Sequence, residues 1–275
     1  MRQGPVLLVL ILLASQCSGC LSFDNEESKT IRLATTTSMR DSGLLDLLID
    51  DFQKTSDYTV EYVAVGTGAA LVLGENKDVD ALIVHSPEQE TDFVEGGFGY
   101  DRNAIAWNRF VLLSPSTSTS SIFDAFETIY ENERCFISRG DFSGTHHKEQ
   151  DIWRSLNESN GLPMVEDADG YHPEGEWYYS IGQGMGAAIN MADEKSCSTL
   201  SDRGTALNFA QQTSLERTEF SDDILFNPYS FLFVSDMERQ GAEEFLNYLL
   251  GDGQQRIEEY TINDEPAFFT LESTD

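Results

Sequence analysis

The stretch "TIRLATTTSMRDSGLLDLLIDDFQK", Thr30–Lys54, decides the fold. Its first part is a short run rich in apolar and β-branched residues, the pattern of a strand. Its last part, "SGLLDLLIDDFQK", repeats apolar residues at helical spacing. Between them lie small, hydroxyl-bearing residues. A strand, a hydroxyl-rich turn and a helix make one unit of an α/β architecture.

The same unit recurs along the chain. "TVEYVAVG", "DALIVHS", "FVLLSP", "CFISRG" and "ILFNPYSFLFVS" have strand character, and "THHKEQDIWRSL", "GMGAAINMADE" and "GAEEFLNYLLGDGQQRIEEY" have helical spacing. With 275 residues the chain can bury a sizeable core in one large domain or two modest ones. No repeat of fixed period occurs. The one biased run, "SPSTSTSS" (Ser114 to Ser121), is expected at an interdomain crossover or in the loop after one.

The amino terminus is built differently. Arg2 precedes the apolar run "VLLVLILLA" (Val6 to Ala14) and then "SQCSGC". The run is far short of the roughly 20 residues that span a bilayer. A charged start, a short apolar middle and small residues before a cysteine are the marks of a secretory signal peptide over residues 1–19. "SGC" ending at Cys20 resembles a lipobox, so Cys20 is the candidate lipidation site. Residues 20–30, polar and without periodicity, are expected to tether the folded part to the outer face of the cell membrane.

Charge narrows the partners. The chain carries 17 basic and 48 acidic side chains, a net charge of −31. Such a surface repels nucleic acid and anionic membranes, so contact with the membrane is expected through the lipid anchor alone. Two further cysteines, Cys135 and Cys197, permit a disulfide outside the cell, and two separate buried thiols are an equal alternative.

The candidate chemistry lies where strands give way to helices. "ATTTSMRDSG", "VGTGAAL", "SRGDFSGTHH" and "IGQGMGAAI" each place small or hydroxyl residues before a helix start. Helix N-termini offer free N–H groups and a positive dipole end, glycine lets an anion approach the backbone, and hydroxyls add donors. One such turn is an ordinary helix cap. Four in one chain point to an anion. In the third, Arg139 precedes Ser143, Gly144 and Thr145, so a planar guanidinium reaches an oxyanion on the helix start, with Asp141 available to hold it.

Other chemistries are poorly served. His146 and His147 are adjacent on one helix and point in different directions, which makes them poor joint metal ligands, although His85 and His172 add further nitrogens. Ser143 with a nearby histidine is the basis of an alternative reading as an extracellular serine hydrolase, but no G-x-S-x-G elbow occurs. "GQGMGA" departs from the dinucleotide fingerprint, and no P-loop is present. No cofactor and no cation site are expected. Trp177, Tyr178 and Tyr179 are expected in wall or core.

"LATTTS", "SGLLD", "VAVGTG", "LGENKDVDALIVHSP", "SRGDFSGTH", "GQGMGAAI", "LSDRGT" and "PYSFLFV" follow one another from about Ile31 to Phe269. In this order they resemble the tungstate-binding lipoproteins of ABC importers, within the type II periplasmic-binding-protein superfamily. The resemblance implies a non-catalytic monomer with two α/β lobes joined by two crossover strands and the ligand in the cleft. Residues 31–113 and 223–275 would form lobe 1, and 114–222 lobe 2. It implies Thr36, Thr37, Ser38, Thr67, Gly68 and Ser86 from lobe 1, and Arg139, Ser143, Gly144, Thr145, Met185 and Arg203 from lobe 2, as ligand contacts. The partners it implies are a tetrahedral oxyanion and an ABC permease with its ATPase. Met39, Arg40 and Phe142 depart from the family pattern beside the site.

Tungstate and molybdate carry no proton at neutral pH and only accept hydrogen bonds, which suits a donor-only set. Molybdate, sulfate and phosphate remain alternative ligands on the same fold.

Overall fold

A computed structural model describes residues 29–272. The expected signal peptide 1–19, the lipidation site Cys20 and the tether as far as residue 28 lie outside the described residues. In chain order the elements are β1 (Thr30–Thr36), α1 (Thr37–Asp41), α2 (Leu44–Phe52), β2 (Thr59–Val65), α3 (Thr67–Glu75), β3 (Ala81–Val84), α4 (Pro87–Glu95), β4 (Gly99–Ser114), α5 (Ile122–Glu131) and β5 (Phe136–Ser138). Then come α6 (Gly144–Asn160), β6 (Val165–Asp167), β7 (Gly170–His172), β8 (Tyr178–Ser180), α7 (Met185–Lys195), β9 (Thr199–Asp202), α8 (Arg203–Phe209), β10 (Glu216–Thr218), β11 (Phe226–Val234), α9 (Gln240–Leu250), α10 (Asp252–Glu259), β12 (Thr261–Ile262) and β13 (Glu265–Pro266).

The opening stretch folds as its pattern dictates. Ile31 and Leu33 of β1 are buried, and α2 buries Leu44, Leu45, Leu48, Ile49 and Phe52 as one stripe. Strand β1 pairs in parallel with β2 on one side and β3 on the other, and β11 runs antiparallel beside β3. All four residues of β3, "ALIV", are buried, as expected for an inner strand covered on both faces. The helical pattern of residues 241–260 is divided in two at Gly251.

Strand β4 decides how the lobes are joined. Its first half pairs with β11, and its second half, Phe110–Leu113, pairs with β9, with β10 on Leu112–Ser114. Successive side chains on a strand face opposite sides. Accordingly Phe110 and Leu112 join a core with Phe126, Phe136 and Trp153, while Val111 and Leu113 join one with Ile137, Ile189 and Leu215. Leu225 packs in the first of these. The chain therefore changes lobe before Phe110 and returns after Leu225, so the second lobe is a few residues longer at each end than the expected 114–222. One continuous strand crosses between lobes, longer than the expected run "FVLLSP", because polar residues such as Asn103 and Asn108 interrupt the apolar pattern before it. "SPSTSTSS" follows β4 as the loop leading into α5.

In the second lobe β5 and β8 are parallel neighbours, and Cys135 and Cys197 are joined in a disulfide with their Cα atoms 4.6 Å apart. Trp177, Tyr178 and the rings around Phe136 form an aromatic wall, with Phe136 and Tyr178 stacked at 6.0 Å.

Candidate functional site

In a parallel sheet the turns after the strands collect at one edge. Because β1, β2 and β3 are parallel, the starts of α1, α3 and α4 share that edge of the first lobe. Thr36 caps α1, its hydroxyl accepting from the Met39 amide at 3.3 Å, and its Oγ1 lies 3.2 Å from Ser38 Oγ. Thr37 begins the helix. Gly66 caps α3 without a side chain, so the first amides of that helix have no capping oxygen there. Thr67 and Gly68 follow it. Thr67 is fully buried, and its hydroxyl has no hydrogen-bond partner among the described residues. Ser86 precedes α4; its amide donates to Glu90 Oε1 at 2.7 Å, and its hydroxyl makes no cap bond.

The second lobe repeats the device. Since β5 and β8 are parallel, the starts of α6 and α7 lie side by side. Arg139 is buried, and Asp141 grips it through Nη2 at 2.5 Å and Nε at 3.2 Å. The same carboxylate takes the Ser143 amide at 3.2 Å. Asp141 thus aims the guanidinium and closes the turn, and Nη1 is left for something else. Gly140 sits at φ 60°, where a Cβ would fall 2.0 Å from Ser180 Oγ, so only glycine fits. Phe142 also has positive φ, at 53°, and is 46% exposed. Ser143 caps α6, Gly144 and Thr145 form its first turn, and Thr145 Oγ1 is buried without a partner among the described residues.

The two sets face each other across the cleft. A Cβ on Gly66 would lie 3.9 Å from Ser143 Cβ, and one on Gly144 would lie 2.9 Å from His85 Cε1. Gln89 of α4 meets His147 of α6 at 2.5 Å. The structure therefore brings Thr36, Ser38, Thr67 and Ser86 to the face opposite Arg139, Ser143, Gly144 and Thr145.

Two expected contacts are placed otherwise. The Met185 side chain packs into the core with Val111 and Ile189, which leaves only its backbone at the start of α7. Arg203 donates to the Pro266 carbonyl at 2.7 Å and is paired with Glu219 and Glu265. These partners do not belong to the group around Arg139.

His85 is the residue that sequence reasoning missed. It was legible only as a histidine between a strand and a helix, yet its ring is central. Nε2 lies 3.1 Å from Ser38 Oγ, and Nδ1 lies 2.9 Å from Asn227 Oδ1. Asn227 Nδ2 donates to Asn108 Oδ1 at 2.7 Å. Burial lowers the His85 pKa to about 4; Asn227 opposes this and the Arg139 charge adds to it. The ring is neutral at neutral pH. Ser38, His85 and Asn227 stand in the order of a nucleophile, base and orienter, but such a weak base does not deprotonate serine, and Asn227 has no charge to stabilise an imidazolium.

Asp202 was also missed. It is buried and caps α8 through the Thr205 amide at 3.0 Å. Burial raises its pKa, against the Thr205 amide and the Arg139 charge.

The hydrolase and metal readings gain nothing at the cleft. Ser143 Oγ accepts from the His146 amide, while His146 Nδ1 accepts from the Phe142 amide, so the His146 ring is not set on Ser143. Among the described residues the metal-like grouping is Asp167, Asp169 and His172, on the β6–β7 hairpin, and neither His146 nor His147 joins it.

The PBP superfamily domain model matches residues 24–253. The chain belongs to the PBP superfamily. Tungstate-binding protein TupA of Peptoclostridium acidaminophilum is 35% identical over 277 residues, covering 93% of this chain and 92% of that one. The solved tungstate ABC transporter structure from Geobacter sulfurreducens is 37% identical, with a TM-score of 0.70 over 84% of this chain and 98% of that one. The tungstate-binding protein TupA from Desulfovibrio alaskensis is 33% identical, with a TM-score of 0.71 over 88% and 98%. The two-lobed α/β fold with a cleft between lobes is that of this superfamily. No helix among the described residues is long and apolar enough to cross a membrane.

Proposed function

We propose that this PBP-superfamily protein is the extracytoplasmic substrate-binding protein of an ABC importer, and that it captures tungstate between its lobes and delivers it to a membrane permease driven by a separate ATPase. The observation that carries this is the pair of buried hydroxyls on opposite lobes, Thr67 Oγ1 and Thr145 Oγ1, each at a helix start and without a partner among the described residues. A buried hydroxyl without a partner is costly. An oxyanion that accepts from both removes that cost and draws the lobes together.

The donor set selects the ligand class. Threonine hydroxyls, first-turn amides of α3 and α6, and an arginine all donate to an ion that has no proton to give. Asp141 is occupied by Arg139 and the Ser143 amide, while Asp202 takes the Thr205 amide on Oδ1 and keeps its buried Oδ2 without a partner among the described residues. Phosphate, which keeps a proton near neutral pH, is served better by a free acidic acceptor. Molybdate has the same shape and charge as tungstate and meets the same donors; the similarity to TupA proteins across nearly the whole chain favours tungstate. Cleavage before Cys20 and lipidation there would hold the monomer at the outer face of the cell membrane. Met185 through its backbone and Thr37 complete the proposed contacts.

Elemental analysis of protein purified from medium containing tungstate and phosphate tests this. Wild type should carry tungsten in a one-to-one complex, and a Thr67→Val, Thr145→Val double variant should carry far less. Protein that retains phosphorus in place of tungsten would contradict it.

A further inference from the structure

The chain Ser38–His85–Asn227–Asn108 has a defined proton order. Asn227 Nδ2 donates to Asn108 Oδ1, so Asn227 turns its oxygen to His85, and an oxygen there requires hydrogen on Nδ1. In the neutral ring Nε2 must then accept, and the hydrogen between it and Ser38 belongs to the serine. Ser38 presents only lone pairs to anything else near it. That is the wrong polarity for a fully deprotonated oxyanion.

The same heavy-atom positions admit a second complete arrangement. Rotating the amides of Asn108 and Asn227 by half a turn lets Asn108 Nδ2, buried without a partner in the first arrangement, donate to Asn227 Oδ1. Tyr229 Oη, 3.3 Å from that position, becomes a second donor to it. Asn227 Nδ2 then donates to His85 Nδ1, the ring carries its hydrogen on Nε2 and donates to Ser38 Oγ, and the serine hydrogen is free to point into the cleft. Each donor nitrogen of the relay then has an acceptor. The ring stays neutral in both arrangements: one hydrogen leaves Nδ1 for water and one reaches Nε2 from water while the cleft is open, with no net proton uptake.

We propose that His85 is a positioning residue that sets the polarity of Ser38, and that with the oxyanion bound the ring takes the Nε2–H tautomer so that Ser38 donates to the ion. This rests on the oxyanion reading of the cleft. It makes His85 a determinant of specificity, because an ion bearing a proton is served by the opposite tautomer. The groups facing the ring are Ser38 from α1, Asn227 and Tyr229 from β11, Phe110 from β4, Gly144 from α6, and the charge of Arg139. None of them supplies an acid to the ring, which favours tautomer exchange over protonation.

The test is two-bond proton–nitrogen correlation NMR on uniformly nitrogen-15-labelled protein, with the His85 signals among the four histidines assigned by a His85→Gln variant. Free protein should show Nδ1–H and tungstate-saturated protein Nε2–H. In Ser38→Ala, tungstate should bind roughly tenfold or more weakly, and the tautomer should no longer respond. Tungstate-dependent thermal stabilisation with an unchanged tautomer, a doubly protonated ring, or a switch that persists in Ser38→Ala overturns the relay alone. No tungstate-induced change anywhere in the spectrum, with no thermal stabilisation, sinks the oxyanion reading and the relay with it.

Discussion

His85 of the first lobe lies so close to Gly144 of the second that a Cβ on Gly144 would stand 2.9 Å from His85 Cε1 and 3.3 Å from the His85 carbonyl oxygen. The position begins α6, where alanine is a better helix former than glycine by roughly 1 kcal/mol. Gly144→Ala should therefore keep or raise the stability of the free protein while holding the lobes apart. Tungstate affinity should fall about tenfold or more, and small-angle scattering should show a larger radius with ligand than wild type has. Wild-type affinity with a closed radius would show that the contact yields.

Arg139 is aimed by Asp141 through two nitrogens. Arg139→Ala removes a charge-assisted contact of roughly 1.5–3 kcal/mol, or about tenfold to a hundredfold in affinity. Arg139→Lys should recover only part, since lysine lacks the fork that meets Asp141 and the ligand at once. Asp141→Asn should keep the charge but loosen its aim and the Ser143 turn, and weaken binding less than Arg139→Ala. Calorimetric titration of the three variants ranks them, and binding by Arg139→Ala equal to wild type would remove Arg139 from the site.

How much of this was legible in the sequence depends on where the partners lie. The turns at Thr36, Thr67 and Ser143 could be found because each is local: a strand, a small or hydroxyl-bearing turn and a helix written in consecutive residues. Asp141 on Arg139 was legible for the same reason. His85, Asn227 and Asn108 could not be read, because β3, β11 and β4 are brought side by side only by sheet pairing. Met185 misled because a glycine-rich turn looks alike whether its first side chain faces the cleft or, as here, the core. Arg203 misled because its carboxylate partners Glu219 and Glu265 are remote in sequence.

The Cys135–Cys197 disulfide closes a separation of 62 residues and ties β5 to the segment entering β9. Reduction should lower the stability of the second lobe by about 2–4 kcal/mol, seen as a lower denaturant midpoint with reductant. Alkylation of native protein under mass spectrometry checks the bond itself; two modified thiols without reductant would contradict it.

Glu149, buried on α6, receives Tyr178 Oη at 2.7 Å and Trp153 Nε1 at 3.3 Å. Burial pushes its pKa up to about 7 from an ordinary 4.5, with the hydrogen bonds from Tyr178, Ser138 and Trp153 opposing. The folded state thus holds a proton that the unfolded state loses. Stability from this group is full below about pH 4.5 and falls through the window up to about pH 7, by roughly 3 kcal/mol in total. Glu149→Gln should flatten that slope. Chemical denaturation at closely spaced pH values checks it, and an unchanged slope in the variant would assign the dependence elsewhere.

The central claim is that the cleft is a donor-only cradle for a fully deprotonated tetrahedral dianion. Isothermal titration of the purified protein with tungstate and, separately, with phosphate at neutral and mildly alkaline pH tests it most directly. Tungstate should bind one to one at both pH values, with phosphate giving little or no heat. Phosphate binding as tight as tungstate binding, or no tungstate heat at either pH, would contradict the account.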